Sequence, residues 1–267
     1  MVPTDKDGGF AIISDCLIKE ARHRILCNGD YSVGYVNHDT ATRIHANLSK
    51  RWATALEAPG LASKLGSSIA CKSTLSYSIL ELTCKTHKSP VEFRNLHAST
   101  MWRYGALSKF LANFLQCDLN RQAHILKDSR SLVHALSKLE PLPQHKFAKF
   151  DVKHFYMTGT STELGELASK SYTNHDDPPL RDLVQETILF LLEHQQVLDK
   201  SSNSLVKVTR GSGMGLPHSG AIAESALLNG GEQNALLQMT ELGIDFYARF
   251  RDDIFVIFRD YDNLGFS

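Results

Sequence analysis

The sequence predicts an α+β fold, and three observations point there. From Asp245 to Phe258, two runs of aromatic and β-branched residues flank an adjacent acid pair, Asp252-Asp253, the pattern of a β-hairpin with carboxylates at its turn. The stretch F-A-K-F-D-V ending around Asp151 reads as a short strand that closes on an acid. Met101 to Leu115 and Pro178 to Leu198 instead space their apolar residues as helices do.

Composition sets the outer bounds. A chain of 267 residues with 42% hydrophobic content can bury one large core or two smaller ones. No run of about 18 apolar residues occurs, and M-V-P-T-D-K-D-G-G-F lacks the basic-then-apolar order of a secretory signal, so a soluble intracellular chain without a membrane partner is expected. Five cysteines without C-x-x-C spacing argue against both a disulfide framework and a zinc ribbon. The formal net charge of zero hides an asymmetry: residues 1–150 hold 20 Lys+Arg and 12 Asp+Glu, residues 151–267 hold 9 and 17. A basic half suits the phosphates of a polyanion; an acidic half with clustered carboxylates suits the cations that neutralise phosphate during chemistry.

In chain order, the Gly-containing turn after V-P-T-D-K-D feeds an apolar run from Phe10, predicting turn then strand. Thr40 to Leu56 has helical spacing through Ile44, Leu48, Trp52 and Leu56, a core stripe stopped by Pro59-Gly60. Tyr77 to Cys84, the turn K-T-H-K-S-P-V-E and the run from Phe93 predict a second hairpin with a cationic tip. Its Lys85, Lys88 and Arg94 either grip a triphosphate or template backbone or are solvated turn charges. Met101 to Leu115 sets Trp102, Tyr104, Leu107, Phe110, Leu111 and Phe114 mostly on one side, and Ser129 is placed to cap a helix running to Leu139, closed by Pro141 and Pro143.

An acid at the end of a buried strand needs a partner, so Asp151 is the natural third carboxylate beside Asp252 and Asp253. Two divalent ions require oxygens from more than one segment, and neighbours along a strand face opposite ways, so one of Asp252 and Asp253 is expected to dominate. V-K-V-T-R reads as a strand leading into G-S-G-M-G-L-P-H-S-G. There Gly211, Gly213 and Gly215 would let backbone approach a nucleotide or template base, unless the loop is an ordinary connection; Pro217 is placed to begin the next helix.

Taken together, these segments resemble the fingers and palm of reverse transcriptases. F-D-V-K-H-F-Y at 150–156 looks like the first palm motif, G-S-G-M-G-L-P-H-S at 211–219 the second, and F-Y-A-R-F-R-D-D-I-F-V-I at 246–257 the double-aspartate third. The N-terminal D-K-D-G-G-F and the hairpin K-T-H-K-S-P-V-E-F-R-N further resemble Penelope-like retroelement enzymes. The resemblance implies a right-hand polymerase palm over residues 146–267, an antiparallel sheet backed by helices, with a basic fingers-like region over residues 1–145. On that resemblance the two would form one reverse transcriptase domain, expected to break off before the thumb because the sequence stops nine residues after Phe258.

The resemblance also implies roles. Asp151 and Asp252 would bind two Mg²⁺ ions, or Mn²⁺, with Asp253 supporting them. Tyr156 would be the aromatic gate against ribose, Arg94 would contact the incoming triphosphate with Lys85 beside it, and Gly213, Met214 and Gly215 would touch substrate. The implied partners are an RNA template, a DNA primer and dNTPs, and the implied location is the nucleus. His218, Gly220 and Asn95 depart from the usual motifs, which bears on efficiency more than on fold. Two other readings stand beside this one: a non-catalytic nucleic-acid-binding remnant of a retroelement polymerase, and a metal-dependent nuclease using the same acids.

Overall fold

The computed structural model describes residues 1–5, 8–34, 36–55, 75–140, 145–171 and 178–259. The elements are, in order, β1 (Val2–Pro3), β2 (Phe10–Ala11), α1 (Asp15–Leu26), β3 (Tyr31–Ser32), α2 (His38–Ala55), β4 (Ser78–Lys85), β5 (Glu92–Ala98), α3 (Gly105–Leu119) and α4 (Ser129–Leu136). Then come β6 (His145–Asp151), α5 (Ser161–Ser169), α6 (Pro178–Glu193), β7 (Gln196–Asp199), β8 (Ser204–Val208), α7 (Ser219–Leu227), a π-helical turn at Leu228–Glu232, α8 (Gln233–Leu237), β9 (Ile244–Phe250) and β10 (Asp253–Arg259). The α+β expectation holds. Among these helices none is long and apolar enough to cross a membrane.

The strands form a β1-β2 ribbon, a three-stranded sheet ordered β6-β10-β9 and a five-stranded sheet ordered β3-β8-β7-β4-β5. Among the described strands β4 and β7 pair in parallel and the other strand pairs are antiparallel. The five-stranded sheet therefore draws β7 and β8 from beyond residue 146, and the basic and acidic halves of the sequence interleave in space.

Helices α2, α3, α5, α6 and α7 share one apolar core. Leu107, Leu111, Leu115 and Leu119 recur on one face of α3 and meet Ile188, Leu191 and Ile222. Trp52 is fully buried, its ring edge-on to Phe110 at 4.9 Å and to Phe114 at 5.0 Å, and its indole N–H donates to Thr187 Oγ1 at 2.8 Å. That donor would otherwise be stranded in the core.

Several expected elements shift. The buried stripe of α2 is Ala41, His45, Leu48 and Trp52, and Ile44 lies on the exposed flank. Helix α3 begins at Gly105, after Trp102 and Tyr104. Asp128, not Ser129, caps α4, its carboxylate accepting from the Ser131 backbone N–H. Helix α6 ends at Glu193, because Val197 and Leu198 find ladder partners in β4 and β8 that a further helical turn would forfeit. Helix α7 begins at Ser219, two residues after Pro217. The sequence reading passed over α5, although Thr160 and Glu163 form a reciprocal capping box at its start. Lys6, Leu56, Pro59, Gly60, Pro141 and Pro143 lie outside the described residues.

Candidate active site

Register decides which carboxylates meet. Strand β10 runs antiparallel to β6 with Asp253 directly opposite Asp151, Phe255 opposite Lys149 and Ile257 opposite Phe147. Directly opposed residues share a sheet face with Cα atoms about 4.5–5.5 Å apart, so segments a hundred positions apart deliver two acids to one strand end. Asp252 sits in the two-residue turn between β9 and β10, its carbonyl accepting from Val152 N–H at 2.9 Å. It is thus Asp253, rather than Asp252, that stands opposite Asp151. Lys149 shares their face, with Nζ 2.8 Å from Asp253 Oδ1. That bond, then the fields of Asp253, Asp151 and Asp252, raises the lysine's proton affinity.

The hairpin stands on a buried ionic foundation. Arg249 on β9 is fully buried, and its Nε and Nη2 donate to the two Glu232 oxygens at 2.6 and 3.0 Å. Its Nη1 donates to the Arg251 carbonyl at 3.0 Å, so the guanidinium reaches directly into the turn that carries the acids. Tyr247 donates its hydroxyl to Glu232 at 2.7 Å, and His124 Nε2 lies 3.4 Å from the same carboxylate. Burial alone would raise Glu232, but the adjacent His124 ring and the Arg249 guanidinium prevail and hold it at about 2. Glu224, 3.9 Å from Arg249, lacks such bonds, and burial raises its pKa despite the nearby arginines.

Beside the hairpin lies a cavity of about 330 Å³. Tyr156, Met214, Gly215, Glu224 and Arg251 line it, with Asn113 and Gln116 from α3. Tyr156 follows β6 by five residues and packs edge-on to Phe155 at 5.1 Å. Its hydroxyl accepts from Arg251 Nη1 at 3.3 Å. Arg251 has a positive φ of 55°, a strained conformation for a side-chain-bearing residue, and it is held there partly by Arg249.

The glycine loop has a different use from the one expected. A Cβ on Gly213 would lie 1.7 Å from His97 Nδ1, and one on Gly211, with φ +65°, would lie 2.3 Å from the Tyr156 carbonyl oxygen. Gly213 is buried, donating its N–H to Gln195 Oε1 and accepting from Ser219 Oγ, so it faces protein and not the cavity. Met214 and Gly215 do reach the cavity wall. Gly215 has φ +101° and packs against the His97 backbone, while the Met214 carbonyl accepts from His97 N–H at 2.7 Å. His218, which replaces an apolar residue of the motif, is buried and satisfied on one side by Ser108 Oγ at 2.8 Å.

None of the hairpin cations Lys85, Lys88 and Arg94 lines this cavity. Arg94 Nη1 donates to Asp5 Oδ1 at 2.8 Å, and Lys85 Nζ lies 3.3 Å from Glu92 on the directly opposed residue. Arg251 and Glu224 were missed by sequence reading. Arg251 adjoins the acid pair and was the signal available; Glu224 carried none beyond its place five residues into α7.

The donor chemistry suits a hard divalent cation, since carboxylate oxygens from two strands and a turn gather at one sheet end. Among the described residues, however, no three carboxylate, imidazole or thiol groups form a ready metal cluster, and Lys149 engages one Asp253 oxygen.

No protein-family model and no curated protein matches the chain. Solved structures do. Apo telomerase from Candida tropicalis aligns with TM-score 0.51 and 15% identity, covering 86% of this chain and 45% of that one. The same telomerase in complex with a TWJ fragment of telomeric RNA aligns with TM-score 0.54 and 16% identity, covering 86% and 41%. An apo form truncated from its C-terminal domain gives 0.52 and 16%, covering 72% and 45%. The chain thus spans less than half the length of these telomerases, and at such identities the likeness shows a shared fold and nothing of role.

Proposed function

We propose that the chain is the fingers-and-palm core of an RNA-directed DNA polymerase that adds dNTPs to a primer 3′ hydroxyl on an RNA template. The observation that carries this reading is the register of Asp151 against Asp253, with Asp252 adjacent, one residue from a cavity walled by Tyr156 and the 214–215 loop. The telomerase-like fold supports it, as does the motif order in the sequence. On this reading residues 146–267 supply most of the palm and residues 1–145 most of the fingers, and the enzyme is of Penelope-like retroelement type, meeting its target in the nucleus.

In the reaction, a bond forms from the primer 3′ oxygen to the α-phosphorus as the α–β bond breaks and pyrophosphate departs. Asp151, Asp252 and Asp253 would hold the divalent ions, Mg²⁺ or Mn²⁺, which when bound acidify the 3′ hydroxyl and offset charge on the triphosphate. Lys149 releases Asp253 for that purpose and remains beside the acids as a spare cation. Tyr156 presents its ring where a ribose 2′ hydroxyl would sit, which favours deoxynucleotides. Arg94 and Lys85 can grip phosphate only after exchanging Asp5 and Glu92 for it.

Primer extension with Mg²⁺ tests this. Wild type should extend, and Asp151→Asn, Asp253→Asn and Asp252→Ala should each reduce extension to background while leaving the folded content unchanged. Equal extension by wild type and all three variants rules out the assigned site. The Lys149–Asp253 ion pair and the unassembled donor set favour a second reading, a nucleic-acid-binding remnant without turnover. Tight template–primer binding with no Mg²⁺-dependent extension would select that reading.

A further inference from the structure

Tyr156 is held from two directions. Its carbonyl accepts from Ser212 N–H at 2.7 Å, and the bare Cα of Gly211 presses against the same peptide. Its hydroxyl is bound to Arg251, on the turn that carries Asp252 and Asp253. Between these points the ring has one edge-on neighbour, Phe155, and borders the cavity. Once the hydroxyl is released, little on the cavity side resists rotation of the ring.

Arg251 is well placed to provide that hold. Among the residues lining the cavity it carries the sole cationic side chain. The groups that act on it are the Tyr156 hydroxyl, the Glu224 carboxyl and the Asp252 carboxylate, in that order of influence. Its own carbonyl is pinned by fully buried Arg249, so the base from which its side chain reaches is fixed. The chain Glu232–Arg249–Arg251–Tyr156 therefore runs unbroken from the buried foundation to the cavity wall.

We propose that Arg251 is a positioning residue for sugar selection: by binding the Tyr156 hydroxyl it fixes the ring relative to the carboxylate turn, so that the 2′ position of an incoming nucleotide meets an immobile wall. The inference rests on the polymerase reading and deepens it. A guanidinium serves better than an apolar residue because it donates to the phenol oxygen while remaining attracted to Glu224 and Asp252, which keep it at the cavity rim.

The experiment measures kcat and KM for dATP and ATP incorporation in Mg²⁺ on one template–primer, with equilibrium binding of both nucleotides in parallel. Wild type is compared with Arg251→Met, Arg251→Lys, Tyr156→Phe and the Arg251→Met/Tyr156→Phe double variant. One charge-assisted hydrogen bond at a partly exposed site corresponds to about a three- to tenfold change in the deoxy-to-ribo ratio. Arg251→Met and Tyr156→Phe should each lower the ratio by that factor, chiefly by improving KM for ATP. The double variant should be no worse than either single one, and Arg251→Lys should recover part of the loss. Tyr156→Phe removes one oxygen and keeps the ring, so it remains informative if Arg251→Met fails to fold. An unchanged ratio in Tyr156→Phe, or equal weakening of dATP and ATP by Arg251→Met, overturns the inference and leaves the polymerase reading standing. Wild type that neither binds nor incorporates either nucleotide overturns both.

Discussion

At the turn of the β9–β10 hairpin, acids stand above a buried ionic base with Lys149 paired to Asp253, whereas at the β4–β5 hairpin the cations Arg94 and Lys85 each have an acid beside them. Asp151 is exposed at its strand end, while Arg249 beneath is fully buried and clamped by Glu232. On the other sheet, Arg94 is bound by Asp5 and Lys85 by Glu92. The difference lies underneath: a buried guanidinium holds the backbone of the acid turn, although Asp253 would have to leave Lys149 to bind a cation, whereas the hairpin cations are held by the very acids they would have to leave. A fixed base costs burial of charge, which is tolerable only when every charge is answered. An exchangeable ion pair costs little and contributes little.

The sharpest way to break that contrast is Arg249→Met. It leaves Glu232 buried without its main partner, and breaking such a pair is expected to cost about 3–5 kcal/mol, read as a lowered midpoint in urea unfolding. Adding Glu232→Leu should restore much of the loss, because the stranded charge goes with it. A single-variant loss below about 1 kcal/mol would mean that the base is not what holds the turn.

Acid should separate the two regions by pH. His97, on β5, is buried, and that burial lowers its pKa from 6.5 to about 4. The unfolded chain takes up that proton first, so this stabilisation is complete above about pH 6.5 and declines as pH falls towards 4. Glu232 is lowered too, from the usual 4.5 to about 2, so its contribution is complete above pH 4.5 and is lost as pH falls from there through 2. Protection factors for β5 amides, taken against the intrinsic rate at each pH, should therefore fall between pH 6.5 and 4.5 while those of β9 hold. Simultaneous loss of both would erase the contrast. The smallest effect belongs to Glu92→Gln, which frees Lys85. Stability should barely move, while polyanion binding should tighten slightly at low salt and fall more steeply as salt is added.

The parts legible in sequence were those written in local patterns. Alternation around Asp252-Asp253 gave both strands of that hairpin, and F-A-K-F-D-V gave the strand that meets it. Val197 and Leu198 were absorbed into a helix because their spacing continues that of Leu191 and Leu192, and only pairing with β4 and β8 separates them. The bond from Arg94 to Asp5 spans 89 positions and that from Arg249 to Glu232 spans 17, so neither could be read from neighbouring residues. Lys85 and Glu92 could have been, since a hairpin sets them opposite one another. Glycines in a short loop were read as room for a ligand, whereas here they make room for His97 and for the Tyr156 peptide.

That loop has a mechanical consequence. Gly211 N–H is bonded to the Gly159 carbonyl, Ser212 N–H to the Tyr156 carbonyl, and the Met214 carbonyl to His97 N–H, so the 211–214 segment is fastened at one end to the chain that follows β6 and at the other to β5. Such a segment works as a tie rod and not as a hinge. Displacing β5 would therefore load the peptide of Tyr156 through this segment.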